Sequence, residues 1–226
     1  MKVHSIPDVG PDGKGKSIAN LVSMADGEKI ASLLAVKSWD ADWFVFMGAR
    51  KGTVKKTPLA AFQNPRAGGI IAMGVDDDDA VIAVQMTDGT GEILVGTHDG
   101  MAIRFPETDV RPMGRTAYGV KGISLREGDT VVAVEALEPG GGGTVMTVCE
   151  NGYGKRTEID EYRVQSRAGV GIISIHTTDR NGRVVGIAYV GADDELMLIT
   201  QLGKVLRMPT RGIRAIGRAT QGVRLI

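Results

Sequence analysis

The 226-residue sequence predicts an all-β chain made of repeated blade-like units, and three observations predict it. Glycines at positions 52, 100, 152 and 203 recur every 48 to 52 residues, each between an apolar run and a cationic run. Between those pairs lie segments rich in Val and Ile with alternating polarity, bounded by Gly and Asp turns, the pattern of half-buried antiparallel strands. No window carries a long apolar stripe of helical period with caps at its ends.

The units follow in order. The apolar strands WFVFMGA (43–49), EILVGTH (92–98), TVMTVCE (144–150) and ELMLITQ (195–201) each turn into KGTVKKTP (51–58), DGMAIRFP (99–106), NGYGKRTE (151–158) and LGKVLRMP (202–209). Asp-Gly and Asn-Gly at two of these turns suit the primed hairpin turns that match strand twist. A loop with a further arginine and a Gly-rich stretch follows, at Arg66, Arg115, Arg167 and Arg218. Each unit then closes on an acidic turn and an alternating strand, ADGEKIASLLAV (25–36), DDDDAVIAVQM (76–86), REGDTVVAVEAL (126–137) and RNGRVVGIAYV (180–190). KVHSIP (2–7) lies over KVLRMP (204–209), so the register begins inside one unit and stops inside another. A single domain over 1–226 is expected, with a partial blade 1–51, repeats 52–99, 100–151 and 152–202, and a partial blade 203–226. Pro139 and glycines 140–143 fall in an inter-strand slot and read as a long hairpin loop.

Net charge is zero, which excludes a simple polycation, yet the charge is sorted along the chain. Residues 203–226 hold six cations and no acid, whereas Asp76 to Asp79, Glu127 with Asp129, and Asp193 to Glu195 are acidic turns. Lys56, Arg104, Arg156 and Arg207 each stand four positions after a repeat glycine. One cation per unit at a fixed position suits a polyanion tracked across several units, each cation neutralising a phosphate and releasing counterions. Charges on a solvated strand face serve solubility alone in the competing reading. A protein-interaction propeller is the alternative that the repeats support equally well on architecture.

Catalytic constellations are weak. Gly10 to Ser17 satisfies G-x-x-x-x-G-K-[ST], but a phosphate loop needs a buried strand before it and a helix after it, and neither is predicted. The aspartates 76–79 run consecutively, without the alternating ligands a hard cation needs. His4, His98 and His176 have no partner at ligand or triad spacing. Tyr118, Tyr153, Tyr162 and Tyr189, with Trp39 and Trp43, read as packing residues, and Cys149 as a small core residue. No enzyme activity, cofactor or metal is expected. The single cysteine and the lack of a signal sequence or membrane span predict an intracellular location.

Three stretches carry a family resemblance: GMAIRFPETDVRPMGRTAYGVKGISLREGD (100–129), ENGYGKRTEIDEYRVQSRAGVGIISI (150–175) and ELMLITQLGKVLRMPTRGIRAIGRATQGVRLI (195–226). They resemble successive repeats of the C-terminal domain of the DNA gyrase A subunit, over essentially the whole chain. The resemblance implies a β-pinwheel of about five to six four-stranded blades in which neighbours exchange strands and double-stranded DNA wraps a basic perimeter, bending without sequence readout. It implies that Lys55, Lys56, Arg104, Lys155, Arg156 and Arg207 on strands, with Arg66, Arg115, Arg167 and Arg218 on loops, face the DNA. A bacterial, nucleoid-associated cytoplasmic location is implied, and as partners the N-terminal breakage-reunion domain and the gyrase B subunit, in an ATP-dependent topoisomerase that introduces negative supercoils. The topoisomerase IV A subunit carries a related domain. The family's Gln-Arg-Arg-Gly-Gly-Lys-Gly box is not present; its nearest relative here is Gln165-Ser-Arg-Ala-Gly-Val-Gly171.

Overall fold

The computed structural model describes residues 2–10, 12–24, 27–39, 42–66, 68–138 and 140–226. Fourteen strands and six single 3-10 turns account for its regular structure, so the chain is all-β. The strands are β1 (Phe44–Ala49), β2 (Thr53–Pro58), β3 (Val81–Thr87), β4 (Glu92–Thr97), β5 (Met101–Pro106), β6 (Val120–Lys121), β7 (Val131–Leu137), β8 (Thr144–Cys149), β9 (Tyr153–Glu158), β10 (Ile172–Ile173), β11 (Val184–Val190), β12 (Glu195–Ile199), β13 (Val205–Pro209) and β14 (Val223–Arg224).

They form three four-stranded antiparallel sheets, ordered β3-β1-β2-β6, β11-β8-β9-β14 and β10-β5-β4-β7, and a hairpin β12-β13. The apolar and cationic runs on either side of each repeat glycine are the two strands of a central hairpin. The alternating segment after the acidic turn returns as the strand on one flank, and these flanking strands meet one another, β3 against β7 and β7 against β11, on the inner side. The opposite, outer flank is a two-residue strand donated by the following unit: β6 crosses to β2, β10 to β5 and β14 to β9. Each sheet therefore straddles the sequence repeats, and the strand exchange implied by the resemblance is present three times.

The repeat glycines serve both the turn and the exchange. Gly100 has φ +82°, and a Cβ there would stand 2.3 Å from the Ile175 carbonyl oxygen of the donated segment. The Gly100 carbonyl in turn accepts the Ser174 N–H at 2.8 Å. Apolar packing sits between sheets. Phe46, Val54, Ile93, Val95, Ile103 and Phe105 fill the first interface, and Leu94, Val145, Ile159, Tyr162, Ile175 and Ile187 the second. Tyr162 is fully buried, its hydroxyl 2.8 Å from Ser174 Oγ, in the packing role expected of it.

Two details differ from the sequence-based expectation. The described residues hold three complete four-stranded sheets and one two-stranded hairpin, where the resemblance implies five to six blades. KVHSIP and the described part of 25–36 align with strands of other units, but residues 2–10 and 27–39 contain no strand. Leu34 and Val36 of the second segment pack their side chains against Val45 and Met47 of β1 and Val81, Val84 and Met86 of β3 without forming a strand. Residues 25 and 26 lie outside the described residues, as do Pro139 of the Gly-rich loop and Pro11 of the phosphate-loop-like string. The rest of that string precedes only a 3-10 turn at Ile18–Asn20, not an α-helix.

Candidate nucleic-acid interface

After β5, β9 and β13 the chain makes a 3-10 turn, at Glu107–Asp109, Ile159–Glu161 and Thr210–Gly212, and then runs as a strap along the outer edge of the preceding sheet. The strap first touches that sheet at three repeat-equivalent bridges, Pro112 with Lys56, Val164 with Arg104 and Ala215 with Arg156. Main-chain hydrogen bonds follow, Met113 N–H to the Lys56 carbonyl at 2.8 Å, Gln165 to Arg104 at 2.9 Å and Ile216 to Arg156 at 2.9 Å. The straps end in β6, β10 and β14. They hold most of the loop cations.

The strand cations expected to face DNA are mostly beneath these straps. Lys55 and Lys155 are 0% exposed and Lys56 is 4% exposed. The Lys55 ammonium donates to the Ala72 carbonyl at 2.7 Å and to the Arg115 carbonyl. The Lys155 ammonium donates to Gly217 O at 2.7 Å and to Arg218 O. Lys56 lies 3.4 Å from the buried Glu107 carboxylate and 5.1 Å over the Phe44 ring. Arg104 donates to the carbonyls of Ile159 at 3.0 Å and Tyr162 at 3.1 Å and pairs with Glu92. Arg156 donates to the Ile213 carbonyl at 2.7 Å. The expectation that Lys55, Lys56 and Lys155 face DNA is corrected, because their ammoniums are buried against inward carbonyls and a carboxylate, while Arg104 and Arg156 are half-buried with donors on carbonyls of the next unit. They fasten one unit to the next. Arg207 is exposed and pairs with Glu195 on its own hairpin.

Burial drives the Lys55 ammonium down to about 8, helped by the Arg115 charge. Burial likewise lowers Lys155 to about 8, opposed by Glu161 and reinforced by Arg218. Both remain charged at neutral pH. Burial raises the Cys149 thiol to about 11, in keeping with a core residue.

The loop arginines are placed differently. Arg66 is exposed. Arg115, Arg167 and Arg218 are half-buried, with guanidinium nitrogens on carbonyls of the preceding unit: Arg115 on Ile71 at 2.9 Å, Arg167 on Lys121 at 3.0 Å and Asp109 at 3.1 Å, and Arg218 on Ile173 at 2.8 Å. Ala168, next to Arg167, takes φ +67°, an uncommon conformation for a non-glycine residue. It is held there by its N–H on the Gly122 carbonyl at 2.7 Å and by Ser124 Oγ on its own carbonyl at 2.8 Å.

A second arginine series was missed by sequence reasoning. Arg111, Arg163 and Arg214 are all exposed, each standing immediately before the residue that bridges to the sheet beneath. Their signal is spacing: each lies five residues after the end of its hairpin, at Pro106, Glu158 and Pro209. Gln63 occupies the corresponding place after Pro58. Lys121 and Arg224 add exposed cations on the donated strands β6 and β14.

The acidic turns at 76–79 and 127–129 are at the hairpin-turn end of the sheets, whereas Asp193 to Glu195 lies at the opposite end of its hairpin, where the Thr210 N–H donates to the Asp194 carbonyl at 2.9 Å. Asp79 accepts the Lys51 N–H at 3.0 Å, Asp129 the Asp99 N–H at 3.0 Å, and Glu150 the Arg183 N–H at 2.9 Å. Arg183 also pairs with Asp99 at 2.6 Å, joining two units. The straps also open on exposed carboxylates, Asp109 before Arg111 and Asp160 with Glu161 before Arg163. Among the described residues no cluster of His, Cys, Asp and Glu could hold a metal ion, and no helix is long and apolar enough to cross a membrane.

Comparison with known proteins agrees with this architecture. The family described as DNA gyrase C-terminal domain, beta-propeller, matches residues 1–37, 44–88, 91–138, 144–190 and 194–226. The DNA gyrase A subunit of Haloquadratum walsbyi is 44% identical over 227 residues, covering 99% of this chain and 26% of that protein. Its Salmonella typhimurium counterpart is 44% identical over 226 residues, 100% of this chain and 26% of its own length. The chain thus spans about a quarter of the length of these relatives. The C-terminal domain of DNA topoisomerase IV superposes with a TM-score of 0.90 at 26% identity, over 99% of this chain and 70% of that one. The DNA gyrase A C-terminal domain superposes with a TM-score of 0.87 at 25% identity, over 100% and 73%. Donated outer strands, repeated units and a match along nearly every residue converge, and the chain belongs to the DNA gyrase C-terminal domain family of β-propellers.

Proposed function

We propose that this chain binds double-stranded DNA along the outer edge of its sheets and bends it, without reading its sequence, as the DNA-wrapping part of a gyrase A subunit. The observation that carries this reading is the exposed series Arg111, Arg163 and Arg214, one per unit at the same place on the strap. Arg66, Arg115, Arg167 and Arg218 contribute through donors not committed to carbonyls, and Arg207 contributes once released from Glu195. Contacts of this kind position a duplex through its phosphates and carry no base information. Bending has an elastic cost of several kcal/mol, offset by contacts distributed over successive units.

In the parent enzyme residues 1–226 act as one non-catalytic unit, requiring no cofactor. They hold DNA beside a breakage-reunion domain and the gyrase B subunit, and so favour strand passage toward negative supercoils in the bacterial nucleoid. The topoisomerase IV superposition favours a second reading, the equivalent domain of that enzyme's A subunit; the 44% identity to gyrase subunits favours gyrase.

The test is a salt titration of duplex binding by fluorescence anisotropy for wild type and the R111A/R163A/R214A variant. The expected result is steep salt dependence, with the log–log slope reduced by about 0.9 per arginine removed. Absence of binding at low salt would return the chain to a protein-interaction propeller.

A further inference from the structure

We propose that Lys55 and Lys155 are positioning residues for the DNA contact: each buried ammonium holds the main chain of an arginine-bearing strap and so fixes where Arg111 and Arg214 stand. This rests on the DNA-binding reading above. Neither lysine meets solvent, so neither can neutralise a phosphate directly. What they meet is main chain: Lys55 meets the strap at Arg115 and ties it to the Ala72 carbonyl at 2.7 Å, and Lys155 meets the strap at Gly217 and Arg218.

On β9 three successive side chains grip one strap. Arg156 takes the Ile213 carbonyl at 2.7 Å, Thr157 Oγ1 donates to the Ile216 carbonyl at 2.9 Å, and Lys155 takes the two carbonyls after that. Arg214 stands between held points. On β5 the corresponding residue is Ile103, packed in the first apolar interface, so the strap bearing Arg163 has no such ammonium beneath it. The molecule thus contains two lysine-held straps and an isoleucine-backed one for comparison. A buried charge is a costly way to fill a sheet face, and removing its partners costs more than replacing it outright. A role in fixing the strap gives that charge a purpose that packing alone lacks.

Among the described residues, the charged or titratable group acting on Lys55 is Arg115, and those acting on Lys155 are Glu161, Arg218 and Cys149. Because both ammoniums lose their proton near pH 8, alkaline solution converts charge-assisted bonds to the strap into neutral ones about half as strong.

The experiment measures duplex affinity of the full chain for K155M, R214A and their combination, with R163A as the control arginine. K155M is expected to weaken binding about 5-fold with the salt slope lowered by less than one, whereas R214A lowers the slope by about one. The K155M/R214A variant is expected to lose less than the product of the single losses, and K155M/R163A to lose the full product. The cost of R214A in wild type is expected to shrink between pH 7 and 9.5, and that of R163A to stay constant.

Multiplicative losses for K155M/R214A, or the same pH dependence at R163A, would overturn the proposal. If K155M does not fold, K55M with R111A provides the same cycle. Wild type that binds no duplex at low salt refutes the DNA-binding reading itself. Hydrogen exchange then decides the strap-holding part: amides 213–218 should open relative to 164–169 above pH 8, and equal behaviour would contradict it.

Discussion

Replacing Arg104 by Met separates a DNA-facing cation from a fastener between units. The guanidinium donates to Ile159 O at 3.0 Å and Tyr162 O at 3.1 Å, and its Nε meets the Glu92 carboxylate at 2.6 Å. Methionine fills much of the same volume and supplies none of these donors. Two carbonyls and one carboxylate lose their partner, and breaking a buried ion pair from one side costs about 3–5 kcal/mol. Glu92 and Arg104 retain 23% and 16% side-chain exposure, which places the expected loss near the lower end, about 3 kcal/mol. For a chain of this size that lowers the melting temperature by roughly 6–12 °C. Thermal melts by circular dichroism, with hydrogen exchange at residues 159–162, measure the loss, and duplex titrations in parallel give the salt slope. The expected outcome is a lower melting temperature, faster exchange at the Ile159 turn and an unchanged slope. An unchanged melt together with a slope reduced by about one would show that Arg104 meets a phosphate, and the fastener reasoning would be wrong.

Three further outcomes follow from the same geometry. Lys55 and Lys155 have folded-state pKa values of about 8, below the ordinary 10.5, so folding disfavours their charged form. Between those values the unfolded chain holds protons that the folded chain has released; the difference in denaturant midpoint between wild type and K55M/K155M, in which the opposing Cys149 contribution cancels, should therefore rise in favour of wild type from pH 8 to 10.5. Gly100→Ala should destabilise by about 1–2 kcal/mol from φ alone, with more from the clash at Ile175 O, and exchange at Ile172 to Ser174 should accelerate. Gly128→Ala, at φ +74° in open space, should show only the smaller effect. Cys149, buried and with its thiol held near 11, should resist thiol reagents in the folded protein and react fully once denaturant unfolds it.

Much of the fold was legible because hairpin strands leave local patterns. The run TVMTVCE with NGYGKRTE carries its own turn, glycine and alternation, and β8 with β9 appears within a residue or two of the expected bounds. The donated strands were not legible as strands. β6, β10 and β14 have two residues each, too short for any period to register, and their partners lie about 70 residues earlier in the sequence. That same exchange explains why the cations were recognised as a set but assigned the wrong surroundings. Adjacent strand residues point to opposite faces, so Lys55 and Lys56 can both be buried only if both faces of β2 are covered. One cover is the strap of the next unit, which nothing in the local run KGTVKKTP announces. Arg111, Arg163 and Arg214 sit in strings with little else in common, ETDVRPMG, IDEYRVQS and TRGIRAIG, and only their distance from the hairpin end relates them.

The most direct measurement is the linking number trapped when relaxed circular DNA, incubated with increasing amounts of this chain at low salt, is closed by a ligase. Wrapping on the outer arginine edge predicts a positive shift that grows with protein and is abolished both by added salt and by R111A/R163A/R214A. Tight, salt-sensitive binding with no shift in linking number, or a full shift retained by that variant, would contradict it.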